Sequence, residues 1–152
     1  MTTATTEEMQ VIKQTLAMKR AIDRRLNELV RRATELVSST GIADKASEME
    51  KSQFGNVLAV ATETGSVEVV KNFIRYQIGR KNGLGWRHGS FGLRLIAEID
   101  GWLAQQAKAI AETHTQEQIQ LDVAWMELVR LYIGYLRRDW SYQRWQKSGE
   151  AV

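Results

Sequence analysis

Leu121-Asp-Val-Ala-Trp-Met-Glu-Leu-Val-Arg-Leu-Tyr-Ile-Gly-Tyr135 is the stretch whose reading decides the fold. Its large apolar side chains fall at Leu121, Trp125, Leu128, Tyr132 and Tyr135, in steps of four, three, four and three. At about 3.6 residues per turn, that spacing stacks side chains on one face of an α-helix. A half-buried strand would alternate in steps of about two. The spacing predicts a helix continuing to about Trp145. Thr115 and Gln118, which have capping-box spacing, are expected to open it. Arg130, Arg137 and Arg144 recur one heptad apart opposite this seam, with Arg138 and Lys147 beside them.

The same reading extends outward. Thr5 and Glu8 have capping-box spacing and start a long helix expected to run to about Ser38, with Ile22, Leu26, Leu29, Ala33 and Leu36 as its seam. Lys13, Arg20, Arg24 and Arg31 lie opposite, shared with Glu28 and Glu35, a mixed pattern that ordinarily marks a solvated face. Gly41 to Ser52 reads as a polar connector. A second helix over Ser52 to Thr64 turns Phe54, Val57, Leu58 and Ala61 inward, and Gly65 is expected to stop it in the left-handed conformation. Ser66 caps a third, with Val67, Val70, Phe73, Ile74 and Ile78 apolar. Ser90 opens a fourth, with Phe91, Leu95, Ile96, Ile99, Leu103 and Ile110 inside. The expectation is an all-α protein: a single compact bundle of about five helices over residues 1–152. A basic, glycine-rich loop from Arg80 to Gly89 joins helices 3 and 4, and residues 1–4 and 148–152 are frayed.

Composition agrees with this. The 152 residues include no proline and no cysteine, with 43% hydrophobic and 26% charged residues. One core fits that length. No apolar run approaches the roughly 20 residues that span a bilayer, so no membrane partner is expected. The first residues lack the basic start and apolar stretch of a secretory signal. The absence of cysteine excludes disulfides and thiolate metal sites and is compatible with a cytoplasmic protein.

Charge is unevenly spread. The net charge is only +3, yet Lys71, Arg75, Arg80, Lys81, Arg87 and Arg94 follow one another without an intervening acid. Phe73, Tyr76, Trp86 and Phe91 are interleaved, and Gly79, Gly83, Gly85, Gly89 and Gly92 loosen the segment. Cations among aromatic rings suit a polyanion with stackable faces, which describes nucleic acid. The plain alternative is a basic loop that keeps a small protein soluble, with part of the cluster favouring a helix C-terminus. Trp86, in the loop beside Arg87, is the candidate for stacking on a base. Trp125, Tyr132 and Tyr135 read as core, while Trp140 and Trp145 either anchor the tail or meet a neighbouring subunit.

Signatures of catalysis are thin. His88 and His114 are the only histidines and have no metal-binding helical spacing. There is no Gly-x-Ser-x-Gly elbow. Gly83-Leu84-Gly85-Trp86-Arg87-His88-Gly89 is one residue too long for a dinucleotide fingerprint and follows a helix instead of a strand. Ser90 and Arg87, at a helix start, can at most hold one phosphate. Caps and surface pairs account for Glu63, Glu68, Glu98 and Asp100.

Tyr76-Gln77-Ile78-Gly79-Arg80, closing a helix after Ser52-Gln53-Phe54-Gly55-Asn56-Val57-Leu58, resembles the middle of the small subunit of type III-A CRISPR effector complexes. Met126-Glu127-Leu128-Val129-Arg130-Leu131-Tyr132 is similar to that family's C-terminal helix. The resemblance covers about residues 50 to 140. Asn82-Gly83-Leu84-Gly85 is instead similar to a segment of the type III-B small subunit, and the long first helix, Trp-rich end and extended glycine loop depart from the type III-A pattern. The resemblance implies a compact, helical, non-catalytic protein without metal or cofactor. Copies of it would stack as a minor filament beside the guide–target heteroduplex. Its implied partners are guide and target RNA, other CRISPR effector subunits and adjacent copies of itself. Arg80 matches the family's RNA-facing motif; Lys71, Arg75, Lys81, Trp86, Arg87 and Arg137 join it by charge or ring type. A protein–protein adaptor whose basic faces bind acidic partners is the alternative, and a small helical enzyme a third.

Overall fold

The computed structural model describes residues 5–152, so the expected fraying of 1–4 lies outside the described residues. Those residues form helices and turns with no strand among them. The first helix begins as expected: the Glu8 N–H donates to Thr5 Oγ1 at 3.1 Å and the Thr5 N–H to the Glu8 carboxylate at 3.1 Å. It does not run to Ser38. The chain turns at Arg24 and Arg25, dividing it into α1 (Thr6–Asp23) and α2 (Leu26–Thr40). Arg25 fixes the turn by donating to the Ala21 carbonyl at 2.6 Å and to Gln106 at 2.8 Å. The first fully buried residue of α1 is Ala21, and before it only Ala17 and Met18 pack partly against the core. The basic ridge expected along both is therefore interrupted, and Arg31 pairs with Glu28 at 3.3 Å.

Residues 41 to 50 do more than connect. Gly41, at φ 68°, ends α2 in the left-handed conformation, and Ile42, Ala43 and Met49 then enter the core. α3 (Lys51–Glu63) follows, its start closed by Gln53 accepting from the Glu50 N–H at 3.0 Å. Its end differs from expectation. Thr64 is extended at φ −108°, its hydroxyl accepts from the Ser66 N–H at 3.1 Å, and Gly65 is not left-handed. Ser66 then caps α4 (Val67–Gly79), accepting from the Val69 N–H at 3.3 Å.

The expected loop is largely ordered. It contains α5 (Leu84–Arg87) and a 3-10 turn over His88–Ser90. Its glycines serve contact more than looseness: a Cβ on Gly85 would lie 2.8 Å from Met49 Cα, and Gly89 is left-handed at φ 57° against the Thr40 carbonyl. Ser90 is itself left-handed at φ 58° and makes no side-chain cap, correcting the expected start. From there α6 (Phe91–Glu98), a π-helical turn (Ile99–Leu103) and α7 (Ala104–Thr113) follow without a break. Thr115 to Gln118 form a turn, closed by the Gln118 N–H on the Thr115 carbonyl at 3.1 Å, and do not open the last helix. α8 (Leu121–Ser148) starts after them and ends at Gly149, at φ 72°.

α8 is the axis of the fold, touching α2, α3 and α7 most extensively. Ala124, Leu128, Tyr132, Leu136 and Trp140 are buried at steps of four, alongside Val129 and Ile133. The seven-residue seam read from the sequence drifts about 20° per heptad on a straight helix. Leu121 is accordingly 38% exposed while Leu128 is buried, and Tyr142 emerges at 56%. At the opposite end from α1, Phe54 packs against Trp86, Phe91 and Trp140 with ring centroids 6.2, 5.7 and 5.5 Å away, tying α3, α5, α6 and α8 together. Trp140 donates to the Ile42 carbonyl at 2.8 Å, fixing the 41–50 segment to α8. No helix among the described residues is long and apolar enough to cross a membrane.

Candidate nucleic-acid interface

The structure separates the basic and aromatic residues singled out by sequence. Lys71 is buried, its ammonium 2.7 Å from Asp100 and 3.1 Å from Glu68. Burial pulls its pKa down, but the hydrogen bonds it donates to Asp100 and Glu68 and their charges outweigh that and leave it raised. Trp86 is 1% exposed within the aromatic cluster, so it is not available to stack on a base. Both placements correct the expectation from sequence, and for one reason: each side chain faces the core side of its helical turn. Arg87 is exposed but occupied, donating to the Ile78 carbonyl at 2.6 Å and the Arg80 carbonyl at 2.9 Å. It therefore caps the end of α4, where orphan carbonyls favour a cation. Arg75 is exposed, about 140° around α4 from Arg80 at 100° per residue, so the two do not share a face.

Arg80, Lys81 and Arg137 make no ion pair among the described residues. Arg80 lines a surface cleft of about 590 Å³ with Lys45, Ser52, Asn56, Asn82 and Arg144. Its Nε is buried without a hydrogen-bond partner. Glu48 and Glu50 also line this cleft, so its lower rim is not purely basic. Arg137 lines a second cleft of about 430 Å³ with Arg138, Lys51, Leu58, Gly134 and Ser141.

α3 separates the two clefts. Its outward side carries Ser52, Gly55, Asn56, Ala59, Thr62 and, at its last residue, Glu63, which at 100° per residue fall within about one third of a turn. α8 runs antiparallel beside it. Arg130 donates to the Ala61 carbonyl at 2.6 Å and the Thr64 carbonyl at 2.8 Å, while Arg144 donates to the Ala43 carbonyl at 3.2 Å. The Arg130–Arg137–Arg144 ridge thus flanks α3 instead of pointing away from the bundle. Its two ends are held by carbonyls and its middle is open. A low helix face, uncharged until Glu63 at its last residue and bordered by arginines on both sides, can accommodate a polyanionic strand.

Sequence reasoning named Arg137 here but not Arg138, Tyr142, Arg144 or Trp145 as site residues. The signal was present: between Gly134 and Gln146 there are three arginines and one acid, Asp139. Asp139 is turned toward α2, accepting from Thr34 at 3.2 Å.

A third cleft, of about 590 Å³ between α2 and α6, is lined by Glu28, Arg31, Arg32, Glu35, Arg94 and Glu98. Arg32 grips Glu98 through two hydrogen bonds of 2.9 and 2.8 Å. Tyr132 lies beneath, donating to the Arg32 carbonyl at 3.3 Å, and burial together with the Glu98 charge pushes its hydroxyl well above the ordinary tyrosine value. These are the contacts of a brace between helices. His114 Nδ1 is buried without a partner, and no group of three or more metal-ligating side chains occurs among the described residues. Set against protein-family models, curated proteins and solved structures, the chain matches none.

Proposed function

We propose that this protein binds RNA through its phosphates, as a non-catalytic small subunit of a type III CRISPR ribonucleoprotein. The observation that carries the RNA reading is the set of cations without ion pairs, Arg80, Arg137 and Arg138, bordering an outward face of α3 whose one charge, Glu63, lies at its last residue. A guanidinium without an ion-pair partner is free to meet a phosphate, and such contacts are strong because they are charge-assisted and bidentate. The CRISPR assignment rests on the Tyr76–Arg80 and Met126–Tyr132 resemblances, together with an all-helical fold of the expected size. Cleavage of target RNA would then belong to other subunits, with this chain stacked against copies of itself.

Replacing Arg80, Arg137 and Arg138 together by Gln tests the RNA reading by filter binding. The expected result is weaker binding with unchanged helicity, whereas Arg75→Gln leaves affinity alone. Equal affinity in the triple variant would remove the interface. Adjacent genes for a large polymerase-like subunit and repeat-family RNA-binding subunits would test the CRISPR assignment separately.

A second reading, the protein–protein adaptor, is favoured by α1. Met9, Ile12 and Leu16 are 50%, 53% and 47% exposed on one stripe, with Lys13 and Arg20 alongside. An apolar groove with an acidic rim is the complementary partner. Capture of an acidic protein, lost on Ile12→Lys with RNA binding intact, would support it.

A further inference from the structure

Two large rings stand in solvent at the end of α8. Tyr142 is 56% and Trp145 51% exposed, and they stack on each other with centroids 6.2 Å apart and planes at 27°. The other tryptophan of this region, Trp140, is buried, so exposure is specific to one face of the helix. At 100° per residue, Tyr135, Arg138, Tyr142 and Trp145 fall within about 80° of arc. Arg138 lies over the Tyr135 ring at 5.9 Å, which holds its guanidinium along the helix beside Tyr142. The cleft lined by Arg137, Arg138, Lys51, Gly134 and Ser141 adjoins this face, and the small side chains of Gly134 and Ser141 leave it open. The nearest acid in sequence, Asp139, is directed to Thr34 on α2. The patch is therefore aromatic and positive, with Asp139 turned away from it and Lys51 at its edge donating to the Val152 backbone oxygen at 3.2 Å.

We propose that the stacked Tyr142–Trp145 pair, flanked by Arg137 and Arg138, is a platform on which unpaired nucleotides stack their bases. This rests on the RNA reading above and adds to it: the polyanion's bases, and not only its phosphates, are held, so single strands are favoured over duplex. Every nucleobase presents a π-face, so such a platform binds without reading sequence. The charge of the patch argues for nucleic acid over a protein occupant. An apolar protein surface would gain nothing from two arginines lacking acids, whereas a strand supplies phosphates at both sides of a stacked base.

The test uses the full chain and three variants, titrated with an unstructured uridylate oligomer and with an RNA duplex of the same length. Tyr142→Leu/Trp145→Leu keeps an apolar surface but removes stacking. It is expected to lose single-strand affinity by about tenfold or more, with duplex affinity and thermal midpoint unchanged. Tyr142→Phe/Trp145→Phe is expected to retain binding, since rings remain. Arg80→Gln/Arg137→Gln is expected to weaken both ligands. If the Leu variant binds the single strand as the wild type does while the arginine variant is weakened, the platform is overturned and the RNA reading stands. If the wild type binds neither ligand, the RNA reading fails and the platform with it. A protein partner retained by the Leu variant, with no RNA effect, would assign the patch to protein docking and likewise overturn the proposal.

Discussion

Lys71 shows how far a residue's role depends on what it faces. Its ammonium is satisfied by Asp100 and Glu68, and its stem is buried against Trp125, whose ring centre is 6.0 Å from Nζ. Both carboxylates are themselves largely exposed, so they tolerate losing the partner. Lys71→Met, which keeps the stem, is therefore expected to change stability by about 1 kcal/mol or less, whereas Lys71→Ala costs about 2–3 kcal/mol through lost packing. RNA affinity should be unchanged in both. Because the folded pKa is raised, the stabilisation is fully present below the ordinary lysine value. It is lost as pH climbs through the folded one, and the Met variant lacks that alkaline loss. Urea melts across alkaline pH check both statements. Trp86 offers a second case: its indole nitrogen is buried with no partner, an orphaned donor at the centre of the aromatic cluster. Trp86→Ala opens a cavity at a cost of about 3–5 kcal/mol. Trp86→Phe keeps most of the packing and removes the orphan, so it should cost at least about 2 kcal/mol less than Ala in the same denaturation experiment.

At the level of elements, arginines on one helix close the ends of others. Arg130 on α8 satisfies the Ala61 and Thr64 carbonyls at the end of α3, and Arg87 does the same for α4. Arg130→Ala should therefore destabilise by about 1.5–3 kcal/mol, the range for hydrogen bonds to charged groups, and speed amide exchange in the last turn of α3 before the rest of the bundle. Uniform exchange across α3 and α8 would contradict a local capping role. This use of Arg130 also explains what the sequence did and did not disclose. The periodicity of Ile22 to Leu36 and of Phe91 to Ile110 was legible because a buried face imposes the helical repeat. Chain ends were less so: Thr115–Gln118 and Gly65 carry the right residue types but sit in turns of other geometry. The break at Arg25 was not legible, since its guanidinium is held both by the Ala21 carbonyl and by Gln106, far along the chain. Positive charge between Lys71 and Arg94 was equally visible, but charge alone does not say which side chains a bundle will turn inward. The folded surface shifts the candidate interface toward α3 and α8.

Across the whole molecule, that proposed interface joins segments far apart in sequence: Arg80 after α4, and Arg137, Arg138 and Arg144 on α8. They border one helix face because α8 runs antiparallel beside α3 while the end of α4 meets its start. Such an arrangement positions charge more than hydrogen-bonding edges: of the amides lining the Arg80 cleft, Asn56, Asn82 and Gln53, the last already accepts from the Glu50 N–H. Binding should therefore follow phosphate number instead of base identity. Each phosphate neutralised releases condensed counterions, giving a log–log salt slope of about −0.7 per contact on a single strand. With three to four arginines engaged per protomer, the expected slope is about −2 to −3. Arg138→Gln should reduce its magnitude by about 0.7, whereas Lys71→Met should leave it unchanged. Two scrambled sequences of equal length should give superimposable curves in filter binding over a salt series. A flat response, or a strong preference for one sequence, would mean that this basic surface is not tracking a nucleic-acid backbone.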